Sequence, residues 1–403
     1  MTSFDDELRI ALETIRQRGL FRELRRVDSA QGPRLRLGGQ TLLNFSSNDY
    51  LGLAEHPALK QAAIRAVQTF GTGAGASRLV CGSLAPFHEL EEALAAFKKT
   101  EAALTFSTGY ATALGTMGAL LGREDVVVLD RLVHASIVDA AKLCGAQIRV
   151  FTHNDLNDLE DKLKWAVRRK ASAPASKSRV LIVTESVFSM DGDTAPLREI
   201  VALKEQYGAW LMLDEAHATG VFGLGGRGLA EELGVSGQIE IQMGTLGKAL
   251  GASGGFICGS RALVELLVNR ARSFIFSTAP VPAAAAAAAA AVGLVQSPEG
   301  ELRRSLLRER IRQLNRQLGI SKAGLAGAIV PIILGAEDRA VEAAAQLRER
   351  GFFVPAIRFP AVARGAARLR LTVTAAHSAE EVTRLVHALE EIVEPSREKV
   401  GGK

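Results

Sequence analysis

Lys248 lies in the stretch Met243-Gly-Thr245-Leu-Gly-Lys248-Ala-Leu-Gly-Ala-Ser-Gly-Gly255. A lysine is usually a solvated surface charge. Here glycines and other small uncharged residues flank it, so the backbone turns tightly and the amine loses part of its water. Desolvation lowers an amine's pKa and suits it to forming a Schiff base. The run Trp210-Leu-Met-Leu-Asp214-Glu215-Ala216-His217, 34 positions earlier, is an apolar strand pattern ending in an acid. An acid at the carboxyl end of a parallel strand lies where such sheets bind ligands. A third segment, Ser107-Thr108-Gly109-Tyr110, follows an apolar run and opens a helix rich in Ala and Gly. Free backbone N–H groups at a helix start suit a phosphate. Taken alone, the same segment also reads as an ordinary N-cap.

Together these parts suffice to hold pyridoxal phosphate. A lysine binds the aldehyde carbon, a helix start binds the phosphate, and an aspartate keeps the pyridinium nitrogen protonated. His134, in Asp130-Arg-Leu-Val-His134-Ala-Ser136, is placed to stack on a planar ring or simply to cap a helix. The string Asp-Glu-Ala-His also occurs in a class of nucleic-acid ATPases, but that reading needs a Walker loop. Gly247-Lys248 is the nearest candidate, and it has Gln242 and Ala249 where the loop needs Gly and Ser/Thr. His56, His88, His153, His377 and His387 read as structural. Gly223-Leu-Gly-Gly-Arg-Gly228 follows a loop instead of a strand, so it reads as a flexible turn and not as a dinucleotide fingerprint.

The elements that must position these residues alternate. Apolar runs at Ala103–Phe106, Val126–Leu129, Ile148–Phe151, Val180–Thr184, Trp210–Leu213, Ile239–Met243 and Gly255–Cys258 are separated mostly by helical patterns. That texture predicts an α/β fold with a mostly parallel sheet buried on both faces. Residues 5–26 read as an amphipathic helix and Leu35 to Asn44 as a β-ribbon turning at Gly38-Gly39. After nine alanines, Ala283–Ala291, charged helices and two further strand runs predict a smaller α+β domain. The expected division is 1–45, an N-terminal helix and ribbon; 46–284, a large cofactor-binding domain; 285–393, a small C-terminal domain; and 394–403, a loose polar tail.

Composition agrees. The 403 residues are 47% hydrophobic and 23% charged, which excludes a disordered or collagen-like chain. Net charge is +5, but acids interleave with the bases, so a mixed-sign surface is expected and not a nucleic-acid partner. Three cysteines without CxxC spacing exclude a disulfide framework and a cysteine metal site, and with the acidic, non-apolar N-terminus they suggest the cytoplasm. The uncharged stretch around the alanines is too weakly apolar for a membrane span.

From about residue 20 to 392 the chain resembles the α-oxoamine synthases, a family of fold-type-I pyridoxal-phosphate transferases with an aspartate-aminotransferase-like architecture. The resemblance rests on Asn44-Phe-Ser-Ser-Asn-Asp-Tyr-Leu-Gly-Leu53, Gly71-Thr-Gly-Ala-Gly-Ala-Ser-Arg-Leu-Val80, His134-Ala-Ser136 and Thr184-Glu-Ser-Val-Phe-Ser-Met-Asp-Gly-Asp193. Leu213-Asp-Glu-Ala-His-Ala-Thr-Gly220, Gly244-Thr-Leu-Gly-Lys-Ala249 and Ala367-Arg-Leu-Arg-Leu371 extend it. Asn44–Leu53, His153-Asn-Asp155 and Ala356-Ile-Arg358 are most similar to the biotin-pathway member, which condenses L-alanine with a pimeloyl thioester of coenzyme A or acyl-carrier protein. Glycine-using siblings are the alternative within the family.

The resemblance implies roles. Lys248 matches the lysine that binds the cofactor aldehyde and moves the α-proton, Asp214 the pyridinium partner, and His134 the residue stacked on the ring. His217 and Ser189 match groups near the phenolic oxygen. Gly109, Tyr110 and Thr245 match cofactor contacts, mostly around the phosphate. Ser277 and Thr278 match a phosphate contact donated across a homodimer interface. Arg370 matches the clamp on the amino-acid carboxylate, and Asn48 lies in a substrate-contacting segment. One of Arg22, Arg25 and Arg26 matches a substrate-contacting arginine; Arg25 is taken as the candidate. Ala361 stands where relatives have a substrate-contacting threonine, a departure that bears on the acyl substrate.

Overall fold

A computed structural model describes residues 2–172, 178–320 and 327–393. The expected tail 394–403 lies outside the described residues. The centre is a seven-stranded sheet in the spatial order Ala102–Phe106, Gly255–Gly259, Ile241–Thr245, Trp210–Asp214, Val180–Glu185, Val126–Asp130, Gln147–Phe151. The last five are mutually parallel. The four inner strands among them are almost wholly buried, with one apolar core on each face of the sheet. This is why they read as continuous apolar runs and not as alternating ones.

One strand breaks the parallel pattern. Gly255–Gly259 runs antiparallel to both neighbours. No helix lies between it and Ile241–Thr245. Without a crossover helix two adjacent strands must run antiparallel, and the connecting loop carries Lys248. The strand expected from Ile239 begins at Ile241, because Ser236–Gln238 closes a 3-10 turn just before it.

Two smaller sheets flank this centre. Ala367–Thr372 pairs antiparallel with Ile329–Gly335 and with Ala356–Ile357. The ribbon Arg34–Leu37/Gln40–Asn44 forms as expected, and its third strand is Phe352–Phe353, parallel to Gln40–Asn44. The alanine-rich helix Pro282–Val295 packs on Pro57–Phe70 and Ala85–Lys98 through the stripe Ala285, Ala288, Ala291, Val292, Val295. Among the described residues, no helix is long and apolar enough to cross a membrane.

Two sequence expectations need correction. The first helix runs only over Phe4–Gln17, with no buried residue, instead of over 5–26. Gly19 ends it: at φ +66° it takes the left-handed position, the Gly19 and Leu20 amides bond back to the Arg16 and Ile15 carbonyls, and beyond that cap the Arg358 guanidinium donates to the carbonyls of Gly19 and Phe21. The turn Gly223–Gly228 is not flexible. Glu232 and Glu231 accept from the Gly223 and Arg227 amides, and Arg304 and Lys98 donate to the Leu224 and Arg227 carbonyls. A local glycine count does not reveal such distant partners.

Candidate active site

Three strands end in acids at one edge of the central sheet: Asp130, Glu185 and Asp214. Beside that edge the structure forms a cleft of about 210 Å³. Its lining includes seven of the sequence-predicted residues, Gly109, Tyr110, His134, Asp214, His217, Thr245 and Lys248. Two glycines explain how these segments come so close. A Cβ on Gly251 would lie 2.6 Å from the backbone of Leu53 and Ala54, and one on Gly220 would lie 2.8 Å from the Ala249 side chain. Both also have positive φ, +61° and +85°, which side chains disfavour. The lysine loop, the 214–220 turn and the 50–54 turn therefore meet in one place.

Lys248 Nζ lies 2.7 Å from His217 Nε2. Burial lowers the amine to about 8, with the Arg370 charge adding and Asp214 and Glu185 opposing. Burial also drives His217 well below the ordinary imidazole range, and the Lys248 charge adds to this. The ring is therefore neutral. On its far side, His217 Nδ1 lies 2.5 Å from the Tyr50 hydroxyl. Burial pushes the Asp214 carboxyl upward against the opposing charge of Lys248, and its Oδ1 accepts from the Ala216 amide.

His134 caps the helix Ala135–Cys144, its Nδ1 accepting from the Ser136 amide at 3.3 Å. The capping reading of this residue holds, and the same residue lines the cleft. Opposite, Thr108 caps the helix Gly109–Leu120 by accepting from the Ala111 amide. The N–H groups of Gly109 and Tyr110 begin that helix, where no intrahelical acceptor exists. Tyr110 donates its hydroxyl to Asp139, and Thr245 donates to the Gly254 carbonyl.

The remaining predicted residues lie outside the lining. Arg370 is buried beside it, donating Nε to the Ser189 carbonyl at 2.6 Å and Nη2 to Asn48 Oδ1 at 3.3 Å. This brings Ser189, Asn48 and Arg370 together. Thr278 pairs with Ser77, next to Ser277 and a largely exposed Phe276. Arg25 is exposed. Ala361 sits on an exposed turn, its amide donating to the Arg358 carbonyl.

Sequence reasoning left Glu185 and Tyr50 without a role. Glu185 lines the cleft. Burial, then the charge of Asp214, raises its carboxyl well above the usual carboxylate range, and its Oε1 has no hydrogen-bond partner. Its signal was the one that marked Asp214, an acid ending a buried strand. Tyr50 had no local signal, because its partner His217 is far along the chain.

The donor set fits pyridoxal phosphate: an amine of lowered pKa for the aldehyde, an anionic strand end for the ring nitrogen, an imidazole at the cleft wall for stacking, and a free helix start for the phosphate. Among the described residues, no group of three or more His, Cys, Asp or Glu could hold a metal ion.

Comparison with known proteins agrees with this geometry. Residues 40–389 match the family model of aminotransferase class I and II. The 8-amino-7-oxononanoate synthase of Geobacter sulfurreducens is 50% identical over 384 residues, covering 94% of this chain and 96% of that protein. That of Anaeromyxobacter dehalogenans is 47% identical over 380 residues, covering 94% and 93%. A PLP-bound serine palmitoyltransferase of S. paucimobilis superposes with a TM-score of 0.87 at 29% identity, covering 97% of each chain. With a reactive lysine, a strand-end aspartate and a helix start facing one cleft, and relatives of this similarity, the chain belongs to the aminotransferase class I and II family, within its α-oxoamine synthase branch, and uses pyridoxal phosphate.

Proposed function

We propose that this enzyme condenses L-alanine with a pimeloyl thioester, releasing carbon dioxide and free thiol, to form 8-amino-7-oxononanoate for biotin synthesis. The observation that carries the reading is Lys248 Nζ against His217 beside Asp214, in a chain about half identical to relatives named for that product. When bound, pyridoxal phosphate supplies an aldehyde for amines and a protonated ring that takes up the electron pair of a Cα–H bond.

The chain's own residues do the rest. Lys248 would hold the aldehyde carbon through Nζ and, when free, take the Cα proton of alanine. Asp214 keeps the ring nitrogen protonated by its adjacent charge. His134 stacks on the ring, while His217 and Ser189 serve the phenolic oxygen. The Gly109–Tyr110 helix start and Thr245 hold the phosphate. Arg370, with Asn48, orients the alanine carboxylate so that the Cα–H bond faces Lys248. The net reaction would join the alanine Cα to the thioester carbonyl carbon, with the thiol as leaving group, the alanine carboxylate lost as carbon dioxide and a proton returned to Cα. Arg25 and the turn at Ala361 are assigned to the acyl substrate.

The assembly is a homodimer in which Ser277 and Thr278 of one copy complete the phosphate site of the other. The exposure of Phe276 and Thr278 on a segment pinned to Ser77 supports this. The test is thiol release with mass detection of product, crossing L-alanine and glycine with pimeloyl, acetyl and succinyl thioesters. Release only with L-alanine and a pimeloyl thioester is expected. Release with glycine and a short acyl group overturns the substrate assignment.

A further inference from the structure

Tyr50 is a buried phenol that the proposed chemistry does not use. Its backbone is held from both sides: its amide donates to the Asn48 carbonyl and its carbonyl accepts from the Ala375 amide, each at 2.8 Å. The neighbouring Asp49 carboxylate accepts from the Leu53 and Ala54 amides, which fixes the same turn. The hydroxyl therefore has little freedom, and it has three polar neighbours: His217 Nδ1 at 2.5 Å, Asn48 Oδ1 at 3.3 Å and the Arg370 guanidinium, which can only donate to it.

Those two distances place the phenolic proton. Arg370 Nη2 can only donate, and it reaches the same Asn48 atom at 3.3 Å, so that atom is the amide oxygen. The oxygen already has this cationic donor, and the shorter contact of Tyr50 is to the imidazole. Tyr50 thus donates to Nδ1. A neutral imidazole that accepts at Nδ1 carries its hydrogen on Nε2. Nε2 points at Lys248 Nζ, 2.7 Å away, where an N–H donor requires the lone pair of a free amine.

We infer that Tyr50 is a positioning residue that fixes His217 as the Nε2–H tautomer, so that His217 donates into the cleft and favours the unprotonated form of Lys248. The charged and titratable groups facing this pair agree. Burial holds the phenol up near 12, so it remains a donor, and Arg370, Lys248 and His134 all disfavour charge on His217. Among the described residues, the hydrogen-bond partners of the His217 ring are Tyr50 and Lys248. The inference deepens the proposed reaction and rests on that reading for its kinetic part only.

The experiment is nitrogen-15 NMR of histidine rings in the full-length protein, with and without pyridoxal phosphate, His217 being assigned by its loss in His217→Asn. In the wild type above about pH 8, where the Lys248 amine is free, Nδ1 is expected to be unprotonated and Nε2 protonated in both states. In Tyr50→Phe the His217 signals are expected to move toward the other tautomer. Thiol release by Tyr50→Phe is expected to show kcat reduced roughly tenfold with the L-alanine KM within about twofold, the size of one lost hydrogen bond. A wild-type ring protonated at Nδ1, or His217 signals unchanged in Tyr50→Phe, overturns the inference, and the wild-type reading stands even if the variant does not fold. Failure of every thioester in the activity assay, with the tautomer as stated, overturns the proposed substrates and leaves the role of Tyr50 intact.

Discussion

Glu185 and Asp214 are register partners on adjacent parallel strands, and both line the cleft. Two carboxylates this close cannot both ionise without cost. Burial and the Asp214 charge push Glu185 well above the usual carboxylate range, and we assign the charge that serves the cofactor ring to Asp214. Glu185→Gln should therefore leave the absorbance of the bound cofactor unchanged and turnover within about threefold, the loss of at most one weak hydrogen bond. Asp214→Asn removes a charged hydrogen-bond partner and should cost roughly ten- to hundredfold in kcat. Equal losses in the two variants would show that the charge is shared between them.

Lys248→Ala should abolish thiol release, since a general base alone contributes ~10²–10⁴ in rate. Borohydride reduction followed by mass spectrometry should label the wild type at Lys248 and leave the variant unlabelled. The amine, lowered to about 8, also sets a pH dependence. Below that value it is protonated and cannot attack an aldehyde. The rate at which cofactor-free protein captures pyridoxal phosphate should rise with pH up to about 8 and then level off. A plateau reached only above pH 10 would mean the amine is not desolvated.

Behind the cleft, Lys98 Nζ lies 2.6 Å from Glu215 Oε2, and both side chains are almost completely buried. Glu215 also accepts from the Ala230 amide. This pair locks the turn that carries Asp214 and His217 onto the pinned 222–230 segment. Glu215→Leu should cost roughly 3–5 kcal/mol, because it strands a buried ammonium. Adding Lys98→Met should restore part of that loss. Urea denaturation of the two variants checks the order, and a double variant no more stable than the single one would contradict it.

Two histidines should shape the pH dependence of stability in opposite senses. His377 is stacked on Phe45 at 4.2 Å, and burial lowers it to about 4. Between about 4 and 6.5 the unfolded chain binds a proton that the folded chain does not, so stability falls as pH drops through that window. Burial alone would also lower His153, but hydrogen bonds to Asp130 and Asp193 outweigh it and raise it to about 10. Its contribution is complete below the unfolded value of 6.5 and fades as pH rises toward 10. Thermal melts across pH should lose the acid slope in His377→Gln and the alkaline slope in His153→Asn.

The legible parts of the site are those encoded locally. Lys248 announces itself by its small neighbours, Asp214 by ending an apolar run, and Thr108–Tyr110 by opening a helix. Strand positions were legible because burial on both faces leaves uninterrupted apolar runs. Tertiary contact supplied the rest. The extended course after the first helix depends on Arg358, over 300 residues away, although the stop itself is marked locally by Gly19. Tyr50 and Glu185 lay inside segments already marked as family stretches, yet their partners come from other segments, and no spacing rule couples Tyr50 to His217.

The parallel pairing of Gln40–Asn44 with Phe352–Phe353 also has a temporal side. Leu43 and Asn44 face Phe352 and Phe353, and the Phe45 amide donates to the Phe353 carbonyl. This is the last anchored stretch before Asn48 and Tyr50. A ribosome adding 5–20 residues per second emits the two partners roughly 15–60 s apart. During that interval the edge of Gln40–Asn44 is an unpaired strand edge, the kind that recruits wrong partners. The nascent chain can thus assemble its central sheet early, while the wall carrying Tyr50 is set only when synthesis is nearly complete. Chains cut short before Phe352 would carry the cleft-lining residues from Gly109 to Lys248 and still lack the strand pair that anchors the segment leading to Tyr50.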